Sequence, residues 1–145
     1  LKVDIEGDEY KIFNQILDNS NKINTLIIEF HDIHKNIDKI EDFIVKSKEL
    51  KLIHIHANNF AGSNKDGDPN VIELTFININ KNVLNLVKTN KSFPIKKLDY
   101  KNTHRKEDFI LKFNGWKNLC CLFTSQIRWF DLAATLHEGH KLTSQ

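Results

Sequence analysis

Three short apolar runs in this 145-residue chain each end in a cluster of titratable or hydrogen-bonding side chains. The first closes in Asp4-Ile5-Glu6-Gly7-Asp8-Glu9, the second in Glu29-Phe30-His31-Asp32, and the third in His54-Ile55-His56-Ala57-Asn58-Asn59. Ligands of open parallel sheets bind beyond the carboxyl ends of the strands, so adjacent runs of this kind would turn their polar ends toward one cleft. One chemistry open to such a cleft is proton abstraction from a hydroxyl, which needs a carboxylate or a near-neutral imidazole within hydrogen-bond reach. Asp4, Glu29, His31 and His56 offer both kinds of group. A second is metal binding: His54 and His56 have the two-residue spacing that puts both imidazoles on one face of a strand, with Asp4 or Glu29 as a carboxylate ligand. Neither a cysteine nor a second tight histidine pair completes that ligand set.

Each group also has a plainer use. Asp4, Glu6 and Glu9 could cap the helix that follows and complement its dipole. Gly7 suits a tight strand-to-helix turn under either reading. His54, within its run, could be a packed neutral histidine with both nitrogens satisfied, and His31 and His34 could be solvated or capping residues at a strand-to-helix junction. The chain has no Gly-x-Ser-x-Gly elbow, no phosphate-cradling Gly-Lys-Ser/Thr loop and no Cys/His nucleophile pair, which removes the hydrolase, kinase and thiol-protease templates.

The elements that must position these groups follow from periodicity. Residues 1–5 and 25–30 read as strands covered on both faces, as parallel sheets require. Between them, residues 9–17 put Ile12, Phe13, Ile16 and Leu17 on one helical face, and Asp18-Asn19-Ser20-Asn21 stops the helix. Asp38 with Glu41 three residues on resembles a capping box, opening a helix that runs to about residue 50 with Ile40, Phe43, Ile44 and Ser47 inward. Residues 52–57 form the third strand, and right-handed crossovers predict that the three strands are parallel neighbours. A polar, turn-rich stretch over 61–70 then leads to a fourth strand at 71–79, returning antiparallel as a terminal hairpin. Beyond it the pattern admits a helix at 83–88, a loop containing Pro94 and an edge strand at 108–113. The fold class is therefore α/β: three parallel strands with crossover helices, then an antiparallel hairpin.

Composition bounds the rest. With 40% hydrophobic and 28% charged residues the chain reads as one ordinary domain, and its net charge of +2 supplies no field to hold nucleic acid or an anionic membrane. No apolar run approaches the roughly 20 residues of a membrane span, no signal peptide opens the chain, and the adjacent Cys120 and Cys121 cannot form a disulfide framework, so a cytoplasmic location is expected. Methionine is absent, even at position 1, and the chain opens on what reads as a buried strand, which predicts a fragment truncated at its N-terminus. Lys, Asn and Ile fill 50 of the first 114 positions but only four of the last 31, which hold both tryptophans and both cysteines. Residues 115–145 are accordingly read as an atypical tail, derived from a frameshift or junction or else a native helical extension.

Leu1-Lys2-Val3-Asp4-Ile5-Glu6-Gly7-Asp8-Glu9-Tyr10 resembles the Leu-Lys-Ile-Asp-Val-Glu-Gly-x-Glu segment of FkbM-type S-adenosylmethionine-dependent methyltransferases, and Ile27-Ile28-Glu29-Phe30-His31 looks like their following strand. The stretches 54–60 and 69–76, with Phe93-Pro94-Ile95 and the segment 98–102, are similar to bacterial members, so the resemblance covers about residues 1–113. It implies the C-terminal half of a Rossmann-like class I methyltransferase sheet over residues 1–114, these strands being the fourth to seventh and the last antiparallel. It further implies S-adenosylmethionine as cofactor, although the glycine-rich turn and the acidic residue that mainly bind it would lie upstream of Leu1. By the same resemblance Asp4 ends the fourth strand near the transfer centre. With it, Glu6 and His31 are the expected catalytic residues, and Glu29, His56, Asn58 and Asn59 the expected contacts to a small-molecule or saccharide hydroxyl acceptor. The isolated chain is then expected to be inactive. Competing expectations are a metal-dependent hydrolase built on His54 and His56, and a non-catalytic module that folds with a partner.

Overall fold

The computed structural model describes residues 1–82 and 92–111. The expected helix at 83–88 and the tail at 115–145 lie outside them. Strand β1 (Lys2–Val3) is followed by a 3-10 turn at Glu9–Lys11, helix α1 (Phe13–Asp18) and a second 3-10 turn at Ser20–Lys22. Strand β2 (Thr25–Phe30), helix α2 (Ile33–Lys46), strand β3 (Leu50–Ala57) and strand β4 (Ile72–Asn78) complete the order. The fold is α/β, with a mixed sheet of order β1-β2-β4-β3. No helix among the described residues is long and apolar enough to cross a membrane.

β1 and β2 are parallel, as expected, but β2 and β3 are not neighbours. β4 enters between them, antiparallel to both, pairing Ile28 with Leu74 on one side and Ile55 with Leu74 on the other. The crossover through α2 still leaves β2 and β3 parallel, one strand apart. The reason is burial: Ile72, Leu74 and Phe76 alternate onto the covered face and are almost wholly buried, and a strand in the interior of a sheet satisfies both edges of its backbone.

One face of the sheet is sealed. Leu26, Ile28 and Phe30 of β2 join Phe76 of β4 beneath α1 and α2. Phe43 of α2 stacks on Phe13 of α1 at 4.4 Å and meets Phe76 edge-on at 5.7 Å, so a single side chain ties both helices to the sheet. The opposite face is only partly covered, contrary to the expectation of two covered faces: Ile27, Glu29, Glu73 and Thr75 lie on it half-buried. At the β3 end of that face, segment 93–111 packs over His54 and His56, closed by an isolated bridge between Phe93 and Leu111. That bridge is all that the described residues form of the expected 108–113 edge strand.

Helix boundaries also differ. The expected 9–17 helix divides into the 3-10 turn and the short α1, and α2 runs from Ile33 to Lys46 rather than from Asp38 to about residue 50, where β3 already begins. Asp38 and Glu41 therefore sit one above the other inside the helix instead of capping it. Partial burial, with the Asp38 charge beside it, raises the Glu41 carboxyl above its ordinary pKa.

Candidate functional site

β1 ends at Val3, and the chain then reverses through Glu6 at φ 55° and Gly7 at φ 101°. Two successive left-handed residues suit glycine at the second position and cost about 1–2 kcal/mol at the first, where Glu6 carries a Cβ. This turn separates three carboxylates that are close in sequence. Asp4 and Glu6 stay in solvent, whereas Glu9, at the start of the 3-10 turn, is folded under the sheet end with none of its surface exposed.

His31, immediately beyond β2, meets all of them. Its Nδ1 is hydrogen-bonded to Glu9 Oε1, and its backbone N–H donates to the same oxygen at 3.3 Å. Nε2 lies 3.5 Å from Glu6 Oε2, and the ligand atoms of Asp4, Glu6 and His31 all fall within 4.8 Å of one another. The Tyr10 hydroxyl donates to the His31 carbonyl. Burial pushes the Tyr10 hydroxyl above its ordinary pKa, aided by the charges of Glu9 and Asp32, so it remains a protonated donor. Burial alone would pull the imidazole of His31 down. The hydrogen bond and charge of Glu9, then the charges of Glu6 and Glu29, outweigh it and hold the ring above the ordinary histidine value.

A second polar row crosses the open face. Glu29, Glu73 and His56 are in register on β2, β4 and β3. Glu29 Oε1 accepts from Asn58 Nδ2 at 2.8 Å, and Lys2 Nζ reaches Glu73 Oε2 at 3.1 Å. Hydrogen bonding and charge from Glu73, with smaller contributions from Glu29 and Asp4, raise the Lys2 ammonium above its usual value. Neither Lys2 nor Glu73 stands out in the sequence. Their meeting depends on β4 entering beside β2, and no local pattern announces it.

The remaining expected site residues are engaged by the chain itself. Asn59 is buried, donates to the Thr103 and Lys106 carbonyls at 2.9 and 3.1 Å, and accepts from the Thr103 N–H at 2.9 Å, so its amide clamps the covering segment. His56 Nε2 is 3.6 Å from Asp108 Oδ2, too far for a hydrogen bond, and has no other partner among the described residues. His54 Nε2 lies 2.7 Å from Asp99 Oδ1, whose other oxygen accepts from the Ile95 N–H at 2.5 Å. The two histidines thus share a face, as their spacing predicts, but each turns to a different carboxylate of the covering segment. A cavity of about 300 Å³ opens elsewhere, over Tyr10, Phe13, Leu17, Lys39 and Phe43. It holds none of the expected site residues, and Lys39 there donates to Asn36 Oδ1 at 2.8 Å.

The site therefore comprises Asp4, Glu6 and His31 at the ends of two adjacent parallel strands, with Glu9 behind the histidine and the Glu29–Asn58 pair on the neighbouring row. Such a set can accept a proton and hydrogen-bond a hydroxylated ligand. The spacing of its three ligand atoms would also admit a cation, but solvated carboxylates gather in turns without one, and spacing alone specifies none. Comparison with protein-family models, with curated proteins and with solved structures finds no match to the chain.

The described residues hold no glycine-rich turn of the kind that the methyltransferase resemblance implies for its cofactor. The described glycines are isolated at 7, 62 and 67. A Cβ added at Gly7 or Gly67 would meet nothing within 4 Å, and at Gly62 only the ends of the Asn70 and Lys106 side chains, both at 3.9 Å. None of these glycines belongs to a glycine-rich turn of the kind that holds a nucleotide.

Proposed function

We propose that this chain carries the acceptor side of an FkbM-like, S-adenosylmethionine-dependent O-methyltransferase, acting on a hydroxyl of a saccharide or related metabolite. The observation that carries the reading is the convergence of Asp4, Glu6 and His31 at the carboxyl ends of β1 and β2. An antiparallel final strand in an otherwise parallel framework supports it, because the resemblance leads to that arrangement for a Rossmann-like half.

In this reading a substrate hydroxyl donates to His31 Nε2, the exposed ring nitrogen, and its proton passes there as the oxygen becomes nucleophilic. The Asp4 and Glu6 carboxylates accept from neighbouring hydroxyls and hold the reacting oxygen in place. Asn58, held by Glu29 on its Nδ2 and by the Phe60 and Ala61 N–H groups on its Oδ1, extends the polar row from Glu29. Orientation of this kind contributes much of the rate of a displacement reaction. Turnover by the chain alone is not expected, since the described residues hold no glycine-rich turn to seat the cofactor.

Nuclear magnetic resonance titration of the labelled chain with simple methyl glycosides tests the acceptor site. The expected result is saturable shifts confined to Asp4, Glu6, Glu29, His31 and Asn58 and weakened in Asn58→Ala. Shifts centred on any other surface, or none at millimolar glycoside, would overturn the reading.

A further inference from the structure

The proposed reaction uses the exposed nitrogen of His31 but assigns nothing to the buried carboxylate behind it. Glu9 has no exposed surface, and burying a carboxylate is strongly unfavourable unless it is paired and fully hydrogen-bonded. Its pairing is incomplete: Oε1 serves the ring and backbone nitrogens of His31, while Oε2 has no partner among the described residues. A glutamine would satisfy the backbone N–H equally well, and a leucine would fill the volume without the desolvation. What the carboxylate adds is a full negative charge on Nδ1.

We propose that Glu9 is a positioning residue for His31: its buried carboxylate keeps a proton on Nδ1 and thereby makes Nε2, facing Glu6 and Asp4, the basic nitrogen. A neutral imidazole has one donor and one acceptor nitrogen, and an acceptor fixed at Nδ1 decides which is which. The backbone is held as well, by the Tyr10 hydroxyl on the His31 carbonyl and by Glu9 on the His31 N–H, so the ring is located from both ends. Among the described residues, the charged groups that act on the imidazole are acidic, while Lys35 pairs with Asp32 and Lys39 lies over the Tyr10 ring. Glu9 comes from the 3-10 turn, Glu6 and Asp4 from the turn after β1, and Glu29 from β2, while Asp32, next in the chain, acts on Tyr10. When a bound hydroxyl reacts, its O–H bond breaks, the electron pair stays on oxygen and the proton goes to Nε2. The resulting imidazolium keeps its Nδ1–H on Glu9 and is stabilised by it. This role rests on the acceptor-site reading only for the source of that proton.

Long-range proton–nitrogen spectra of the ¹⁵N-labelled full chain, followed through the titration of His31, read the proton's position directly. The expected result is a neutral ring protonated at Nδ1. In Glu9→Gln, whose amide oxygen can still accept from Nδ1, the tautomer persists but the titration midpoint moves down, because a charge has gone and a hydrogen bond has not. In Glu9→Ala the tautomer preference is lost. A neutral ring protonated at Nε2 in the unsubstituted chain overturns the proposal, as does an unchanged midpoint in a folded Glu9→Gln chain. Should either substitution unfold the protein, the tautomer of the unsubstituted chain decides alone. Neither measurement needs a methyl donor or an acceptor. A failed glycoside titration with a protonated Nδ1 would therefore remove the methyl-transfer reading and leave the role of Glu9 standing.

Discussion

Replacing Phe43 with alanine tests the mechanical support of the site. Phe43 is 1% exposed and touches the rings of Phe13, Phe30 and Phe76, at centroid distances of 4.4, 6.5 and 5.7 Å. Truncation of a buried phenylalanine costs about 3–5 kcal/mol, the transfer free energy of the ring plus the cavity it leaves. Within that total, each of the three aromatic contacts accounts for about 0.5–1.5 kcal/mol beyond area burial. The upper half of the range is expected, because the lost ring joins α1, α2, β2 and β4 and no single neighbour can collapse into its place. Against a typical stability of about 5–15 kcal/mol this is a large fraction. Urea unfolding should show a markedly lower midpoint at an unchanged slope. Phe13 and Phe30 also pack on Tyr10, which holds the His31 carbonyl, so the ring signals of His31 should broaden in the same variant. Val45→Ala, two residues away but 40% exposed, serves as the control. Comparable losses in the two variants would refute the assignment of α2's inward face and of Phe43 as its anchor.

Two further outcomes follow from the same geometry. His31 has a folded-state pKa above its unfolded value, so its contribution to stability is complete below the unfolded pKa and fades as pH rises through the folded one. Urea midpoints measured across that window should decline in the unsubstituted chain with a component missing from His31→Gln; parallel profiles would show that the pair is not linked to folding. Asn59→Ala removes one acceptor and two donor contacts from the backbone of Thr103 and Lys106 and should cost about 1–3 kcal/mol for each group left buried and unsatisfied. Hydrogen exchange at the Thr103 amide should accelerate well beyond that at Leu74, and equal protection at the two sites would argue against a clamp.

The polar groups at the strand ends are legible in the chain because each follows an apolar run of strand length, and a sheet delivers such residues to one edge. Asp4, Glu6 and His31 come together on that basis alone. The plainer reading of His54 as a hydrogen-bonded, packed histidine also agrees with its 2.7 Å contact to Asp99. Asn59 illustrates the opposite case. An asparagine just past a strand end reads equally as a ligand contact or a loop clamp, and only the approach of Thr103, more than forty residues away, distinguishes them. Asp38 and Glu41 show how a local signature misleads, because α2 begins a turn and more earlier, on Ile33, whose side chain is buried in the core.

Local spacing by itself determined the α/β class, the positions of β2, β3 and β4, the inward face of α2 and the polar character of the strand ends. All of these depend on period-2 or period-3.6 alternation between neighbours in the chain. Tertiary structure decided the strand order, with β4 between β2 and β3, the Lys2–Glu73 pair that this order creates, and the burial of Glu9 against His31 while Glu6, three residues before it, stays in water. Pairing partners across a sheet and the depth of a side chain beneath a turn are set by contacts between residues far apart in sequence. The identity of a carboxylate does not say whether it will meet solvent or an imidazole; the path of the backbone around Gly7 does.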